Sequence, residues 1–205
     1  VSGWYERTIL PHVVAWVMDN KRTATLRPRV LQGLSGEVLE LGFGAGLNLP
    51  HYPAGVTRVR AVDPDLTGRE LAAERIDASP VQVDFVGLDG ARLDVPDASV
   101  DHVAATWTLC TIPDVESALS EVVRVLKPGG TFSFIDHARH PESPVAAWQD
   151  RLTPLWKPLA GGCHLNRDIA ALVQASGLSV DVEAWQEKGP KLATWTVMGR
   201  GTKAG

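Results

Sequence analysis

Apolar positions in the first thirty residues, Trp4, Ile9, Val13, Trp16 and Val17 among them, recur on a helical period, and Pro11 suits a first helical turn. The pattern predicts a helical cover over residues 1–35, with Trp4 and Trp16 shielding a core. Beyond it the pattern shortens. Val38 to Leu41 is a compact apolar run ending in glycines, and Val59 to Val62, Val81 to Phe85 and Val100 to Thr106 follow at similar intervals, as buried strands do. Between and after them Leu66 to Ile76 and Val115 to Leu126 read as helices, the second capped by Asp114 and stopped by Pro128-Gly129-Gly130.

Thr131 to Asp136 is a fifth strand. His137 to Gly162 is proline-rich and has no clean period, so residues 137–165 read as a lid and acceptor pocket. Asn166 to Ser176 returns to helix, begun by Asn166 and Arg167 and stopped by Gly177, and Leu178 to Trp185 and Leu192 to Gly199 are extended segments that could close a sheet edge. Strands alternating with helices imply an α/β fold with a parallel sheet and right-handed crossovers. A chain of 205 residues without repeats or linkers is expected to form one domain, with 36–136 as its ligand-binding core.

In an open α/β sheet, ligands bind beyond the carboxyl ends of the strands. The first strand ends in Glu40-Leu41-Gly42-Phe43-Gly44-Ala45-Gly46. Its glycines let backbone approach a ligand that a Cβ would displace, but the third comes one position too early for a dinucleotide fingerprint, which argues against a nicotinamide oxidoreductase. Asp63 closes the second strand, where a carboxylate can accept from ribose hydroxyls, and Asp89-Gly90 after the third could meet an adenine amine. Glu40 would attract a cationic group and repel a pyrophosphate.

These residues, with the Asp97 to Asp101 run and Val125 to Gly130, resemble the class I S-adenosylmethionine-dependent methyltransferases over roughly residues 36–136. The resemblance implies a Rossmann-like seven-stranded sheet with helices on both faces and an antiparallel last strand. It implies S-adenosylmethionine as cofactor, S-adenosylhomocysteine as product, and a cofactor site of Glu40, Gly42, Gly44, Gly46, Asp63, Asp89, Gly90 and Thr106. Thr106 to Ile112 and Gly161 to Arg167 are similar to a bacterial branch related to the microsomal alkyl-thiol S-methyltransferases of animals, whose relatives include quinone C-methyltransferases and phospholipid N-methyltransferases.

Other features narrow the chemistry. A formal charge of −4 leaves no basic footprint, so the expected partner is a small molecule and not nucleic acid. Glu6, Arg7, Pro11 and His12 interrupt the first apolar stretch well short of the roughly 20 residues that span a bilayer, so neither a membrane span nor the animal enzymes' anchor is expected. Cys110 and Cys163 are too few for a disulfide framework and lack metal-ligand spacing, which suggests a cytoplasmic location, no metal, and two cysteines acting as small buried hydrophobes. Of seven tryptophans, Trp107, Trp148 and Trp156 fall where an acceptor pocket belongs, together with Cys163.

Methyl transfer from a sulfonium is an in-line displacement that asks mainly for alignment and exclusion of water. A thiol acceptor reacts as its thiolate, which a histidine can favour; His137, at the end of the fifth strand, and His164, beside Cys163, are the candidates. A thiol is the leading acceptor, with a quinone carbon or a phospholipid or other amine as alternatives. An adenosine-cofactor binder without catalysis is the non-enzymatic alternative.

Overall fold

A computed structural model describes residues 3–205. Its centre is a seven-stranded sheet of order β3-β2-β1-β4-β5-β7-β6. β1 (Gly36–Leu41), β2 (Val56–Val62), β3 (Gln82–Gly87), β4 (Val100–Thr106) and β5 (Leu126–His137) run parallel, whereas β7 (Trp195–Thr202) lies antiparallel between β5 and β6 (Ser179–Gln186). β1 pairs with β2 on one side and β4 on the other, so the strand order reverses at β1 and opens a crevice at its carboxyl end.

The alternation of side chains along β1 divides the core into two layers. Leu39 and Leu41 join Val103, Phe132 and Phe134 beneath α5 (Val115–Val125) and α7 (Ile169–Ala175). Val38 joins Val59, Ala104 and Ile135 on the other face, beneath α3 (Lys21–Leu31) and α4 (Leu66–Asp77). Glu40 shares the face of Val38 and is therefore carried into the sheet's interior side, where it is buried.

Several expectations are corrected. The cover is made by α3, which buries Leu26, Arg27, Val30 and Leu31. α2 (Leu10–Met18), which follows α1 (Trp4–Thr8), buries only Leu10 and Pro11, and Trp4 and Trp16 stand 70% and 80% exposed instead of shielding the core. The stretch read as aperiodic holds α6 (Ser143–Trp156). Pro144 fits its first turn, and its buried stripe is Ala146, Gln149 and Thr153, a helical spacing built from residues that a hydrophobic count passes over. Asp168, not Asn166, caps α7 by accepting from the Ala171 N–H. The last strand begins three residues later than expected, because Lys191–Thr194 forms the short α8. Pro128-Gly129-Gly130 bulges out of β5, which starts at Leu126 directly after α5. Among the described residues, no helix is long and apolar enough to cross a membrane.

Gln149 ties α6 to the sheet. Its carbonyl accepts from the His140 N–H at 2.8 Å, and its amide donates to the carbonyls of Ala138 at 3.3 Å and Leu192 at 3.0 Å. Gln149→Leu strands these buried backbone groups and is expected to lower stability by about 2–4 kcal/mol, measured by urea unfolding; a loss near zero would mean that α6 is held by its apolar contacts alone.

Candidate functional site

Two groups of side chains lie beyond the carboxyl ends of the strands. The first surrounds the glycine loop. Gly42 has φ +74°, and a Cβ there would lie 2.1 Å from the Thr108 Oγ1, so the loop after β1 touches the loop after β4 only because residue 42 has no side chain. Gly46, at φ +70°, is closely packed against Ala72 and Leu49. Gly44, at φ +51°, differs: a Cβ would meet nothing within 4 Å, which leaves its face of the loop open to the crevice.

Asp63 holds this loop to β2. Its Oδ2 accepts from the Gly44 N–H at 2.6 Å and its Oδ1 from the Asp65 N–H at 2.7 Å. Burial raises its pKa, and these two backbone donors work against the shift. Asp65 serves as the N-cap of α4, its Oδ1 accepting from the Thr67 N–H at 3.0 Å. Asp89 is exposed and accepts from the Ala91 N–H at 2.9 Å, with Gly90 behind it facing Ile112 and Leu41.

Glu40 sits in a buried polar network that sequence reasoning missed. Its two oxygens accept from the Asn48 Nδ2 and the Tyr52 hydroxyl, each at 2.7 Å. Arg27 donates to the Asn48 Oδ1 at 2.6 Å and to the Thr106 Oγ1 at 3.3 Å, while its guanidinium lies 5.0 Å from the centroid of Trp107. Thr106 is thus part of this network, also accepting from Asn48 at 3.0 Å. Burial lifts Glu40 from 4.5 to about 7 against the pull of Tyr52, Asn48 and Arg27, and burial brings Arg27 down to about 10. Asn48 and Tyr52 lie just past Gly46, where a search for partners of a buried carboxylate could have found them; nothing in the sequence marks Arg27.

The second group gathers beyond β4 and β5. His137 Nε2 and Cys163 Sγ are 2.8 Å apart, and Trp156 Nε1 donates to the same sulfur at 3.3 Å. Cys110 joins them, and its sulfur, the His137 ring nitrogen and the Cys163 sulfur all lie within 4.8 Å of one another. Asp136, fully buried, accepts the Cys110 N–H at 3.1 Å. A hydrogen bond from Cys110 holds Cys163 well below the usual thiol range despite burial, with His137 and Trp156 reinforcing it. Cys110 is correspondingly pushed up by that same contact and by burial. Burial disfavours a charged His137, but Cys163 and the Asp136 carboxylate outweigh it and raise its pKa.

The two cysteines are therefore more than small hydrophobes in a core. His164 stands apart from the sulfur: its Nδ1 and its backbone N–H both reach the Cys110 carbonyl, at 3.0 and 2.9 Å. Arg167 also donates inward, to the carbonyls of Leu109 and Ile112, so it neither caps α7 nor projects into solvent. Of the three tryptophans expected in one pocket, only Trp156 meets Cys163. Trp107 packs on the Arg27 side, and Trp148 is exposed on α6 with Arg151 over its ring. An open cavity of roughly 670 Å³ lies beside the cysteine loop, lined by Asp150, Lys157, His164 and Asn166 among others.

Two outcomes test this geometry without any ligand. Gly42→Ala combines the clash with Thr108 and a left-handed backbone and should cost about 2–4 kcal/mol, whereas Gly44→Ala meets only the backbone penalty of roughly 1–2 kcal/mol, read from urea midpoints; equal losses would mean that the two loops do not interlock. Glu40 keeps its proton to a higher pH when folded than when unfolded, so its contribution to stability is greatest below 4.5 and declines as pH rises to about 7. The stability difference between Glu40→Gln and the wild type should therefore shift in favour of the variant between pH 5 and pH 8, and a constant difference would show an unperturbed carboxyl.

A family model described as a methyltransferase domain matches residues 39–134. The thiol S-methyltransferase TMT1B of Homo sapiens is 34% identical over 195 residues, 88% of this chain and 75% of the relative. The phosphatidylethanolamine N-methyltransferase of Cereibacter sphaeroides is 31% identical over 126 residues, 57% of this chain and 58% of the relative. The crystal structure of the YcgJ protein from Bacillus subtilis shares the fold, with a TM-score of 0.73 at 17% identity over 91% of this chain and all of that one. With its glycine loop at the end of β1, its strand order and these relatives, the chain belongs to the class I S-adenosylmethionine-dependent methyltransferases.

Proposed function

We propose that this enzyme transfers the methyl group of S-adenosylmethionine to a small thiol in a reducing, cytoplasmic setting. One observation carries the choice of acceptor: beyond β4 and β5, His137 and Trp156 converge on one sulfur, that of Cys163, in contacts that favour its thiolate. Donors that converge on a sulfur at this point favour the thiolate of an acceptor sulfur that takes them up, and the thiolate is the reactive form of a thiol. The TMT1B relative, named as a thiol S-methyltransferase, supports the same reading.

The residues present fit the cofactor. When bound, S-adenosylmethionine supplies a methyl group on a positively charged sulfur. The open face of Gly44 gives backbone room beside the crevice. Asp63, with one lone pair of each oxygen engaged by backbone, keeps others to accept from ribose hydroxyls. Asp89 and Gly90 stand at the next strand end for the adenine. Glu40 gives up its proton more readily beside a cation, so cofactor binding is coupled to its ionisation. On the acceptor side, His137 stabilises the attacking sulfur anion, and residues 137–165 supply the wall of the acceptor pocket through Trp156, Cys163 and the cavity beside His164. His164 and Arg167 act through the loop they fasten.

A second reading has its own support. Trp4, Trp16, Leu155 and Leu159 expose apolar side chains, and the Tyr5 hydroxyl, donating to the Leu159 carbonyl at 3.2 Å, draws the two segments together. Exposed apolar side chains of this kind suit an amphiphilic acceptor, a quinone or a phospholipid amine, and a phospholipid methyltransferase is among the relatives.

Formation of S-adenosylhomocysteine against a panel of thiols, quinols, phenols and amines decides between them. Turnover confined to thiols is expected, and turnover on quinols or lipid amines alone would replace the thiol reading with the second. Asp63→Ala is expected to weaken S-adenosylmethionine binding by about 1–3 kcal/mol in calorimetry, through loss of charge-assisted hydrogen bonds and of the tie to Gly44; unchanged affinity would move the ribose elsewhere.

A further inference from the structure

Cys110, His137 and Cys163 come from three separate elements, the loop after β4, the end of β5 and the loop after α6, yet their ligand atoms converge within 4.8 Å. The convergence is enforced by backbone. Gly162, at φ +85°, has space for a Cβ only 3.2 Å from the Thr111 carbonyl oxygen, so the loop carrying Cys163 is pressed against the loop carrying Cys110. The His164 N–H then donates to the Cys110 carbonyl and Arg167 clamps the carbonyls of Leu109 and Ile112. A histidine needed only to activate one cysteine would not require a second sulfur brought to the same point.

We propose that these three side chains form a binding site for a divalent cation of the zinc class, with the fourth coordination position open to the sulfur of the acceptor. The donor set is two thiolates and an imidazole, the combination that selects zinc over the hard cations. Tetrahedral zinc, with bonds of about 2.3 Å to sulfur and 2.0–2.1 Å to nitrogen, sets its ligand atoms about 3.5–3.8 Å apart. The His137 to Cys163 separation of 2.8 Å must then open by about 0.7 Å, a small rotation of either side chain.

The surroundings also suit a metal. His137 Nδ1 and Asp136 Oδ1 are buried without a hydrogen-bond partner, while Asp136 Oδ2 positions the Cys110 backbone. A ligating histidine usually donates its second nitrogen to an outer partner, and the free Nδ1 of His137 is available for one, while Trp156 Nε1 provides a further contact to the Cys163 sulfur. A cation would displace the Cys110 proton and offset the charge of the two thiolates so formed. Asp136 lies outside the convergent group, so the protein supplies three ligands and leaves one position, as catalytic zinc sites do.

The role of the fourth position rests on the thiol reading above. The acceptor thiol loses its proton to solvent as its sulfur binds the cation. That sulfur's electron pair then forms the bond to the methyl carbon, the bond from that carbon to the sulfonium sulfur breaks with its pair remaining on the donor, and the products are a thioether and neutral S-adenosylhomocysteine. No oxidation state changes. The loop bearing Cys110 is also the one whose Thr108 touches Gly42, which sets this position beside the donor crevice.

The test uses the full chain, demetallated and kept reduced with a phosphine, titrated with Co²⁺ alone. Saturation at one ion per chain is expected, with a thiolate-to-cobalt charge-transfer band in the near ultraviolet, tetrahedral d–d bands, and displacement by Zn²⁺. Cys110→Ser, Cys163→Ser and His137→Gln should each weaken binding by more than about 100-fold, beyond the loss typical of an outer-shell partner. Because a variant could fail to fold, the wild type is also alkylated with and without Zn²⁺, and the ion should protect both cysteines. Absence of these bands, unprotected cysteines, or recovery of a Cys110 to Cys163 disulfide that Zn²⁺ does not prevent would overturn the site. Adding 2-mercaptoethanol to the cobalt form should strengthen the charge-transfer band; a band unchanged by it would overturn the open position, while thiol methylation, read separately as product, would stand or fall by itself.

Discussion

The contact between Gly42 and Thr108 is the constraint on which the rest of the site depends. It joins the carboxyl end of β1 to that of β4 across the point where strand order reverses, and it is close enough that any side chain at position 42 would part the two loops. On one side of it lie Gly44, Asp63 and the Glu40 network, arranged around an open crevice. On the other, two residues further along the same loop, lies Cys110 with its histidine and second cysteine. A methyl group has to cross a short gap in line, and the close packing of the Gly42 backbone against the Thr108 side chain holds the two halves in register for it.

The halves differ in how they handle charge. Glu40 is buried with neutral donors on both oxygens and with Arg27 one residue removed, so its carboxyl stands ready to ionise for a cationic ligand while costing stability when empty of one. The sulfur cluster works the other way: the Cys110 thiol, an imidazole and an indole N–H favour negative charge on Cys163 in a place where burial opposes it. An environment that welcomes a cation lies next to one that welcomes a soft anion, and those are the two reactants of a thiol methylation. Such strained electrostatics are common where binding and chemistry are done at some expense of fold stability.

The parts of this arrangement legible in the sequence are those set by local pattern. Strands β1 to β5, the glycine loop and the carboxylates at 63 and 89 follow from short apolar runs and their ends, because a buried parallel strand has little freedom in composition. α6 was hidden because its buried stripe is Ala146, Gln149 and Thr153, held by hydrogen bonds as well as by apolar area. The exposure of Trp4 and Trp16 could not be read from periodicity, which identifies an apolar face without saying what it meets. Of the sulfur cluster, His137 and Cys163 were expected at the acceptor site, but Cys110 and the convergence of all three were not, for a different reason. Its members lie 27 and 26 positions apart in the chain, and metal-ligand patterns are recognised from close spacing, so only the fold reveals that the ends of β4, β5 and α6 meet.

Hydrogen exchange of the whole chain with and without S-adenosylhomocysteine tests the central claim, that ligand and acceptor sites flank the Gly42 to Thr108 contact. Protection should concentrate in residues 40–46, 63–65 and 89–91 and extend across the contact to 106–112. Protection confined to α6 and residues 157–167, with the glycine loop exchanging as before, would contradict it and place the ligand in the cavity beside His164 instead.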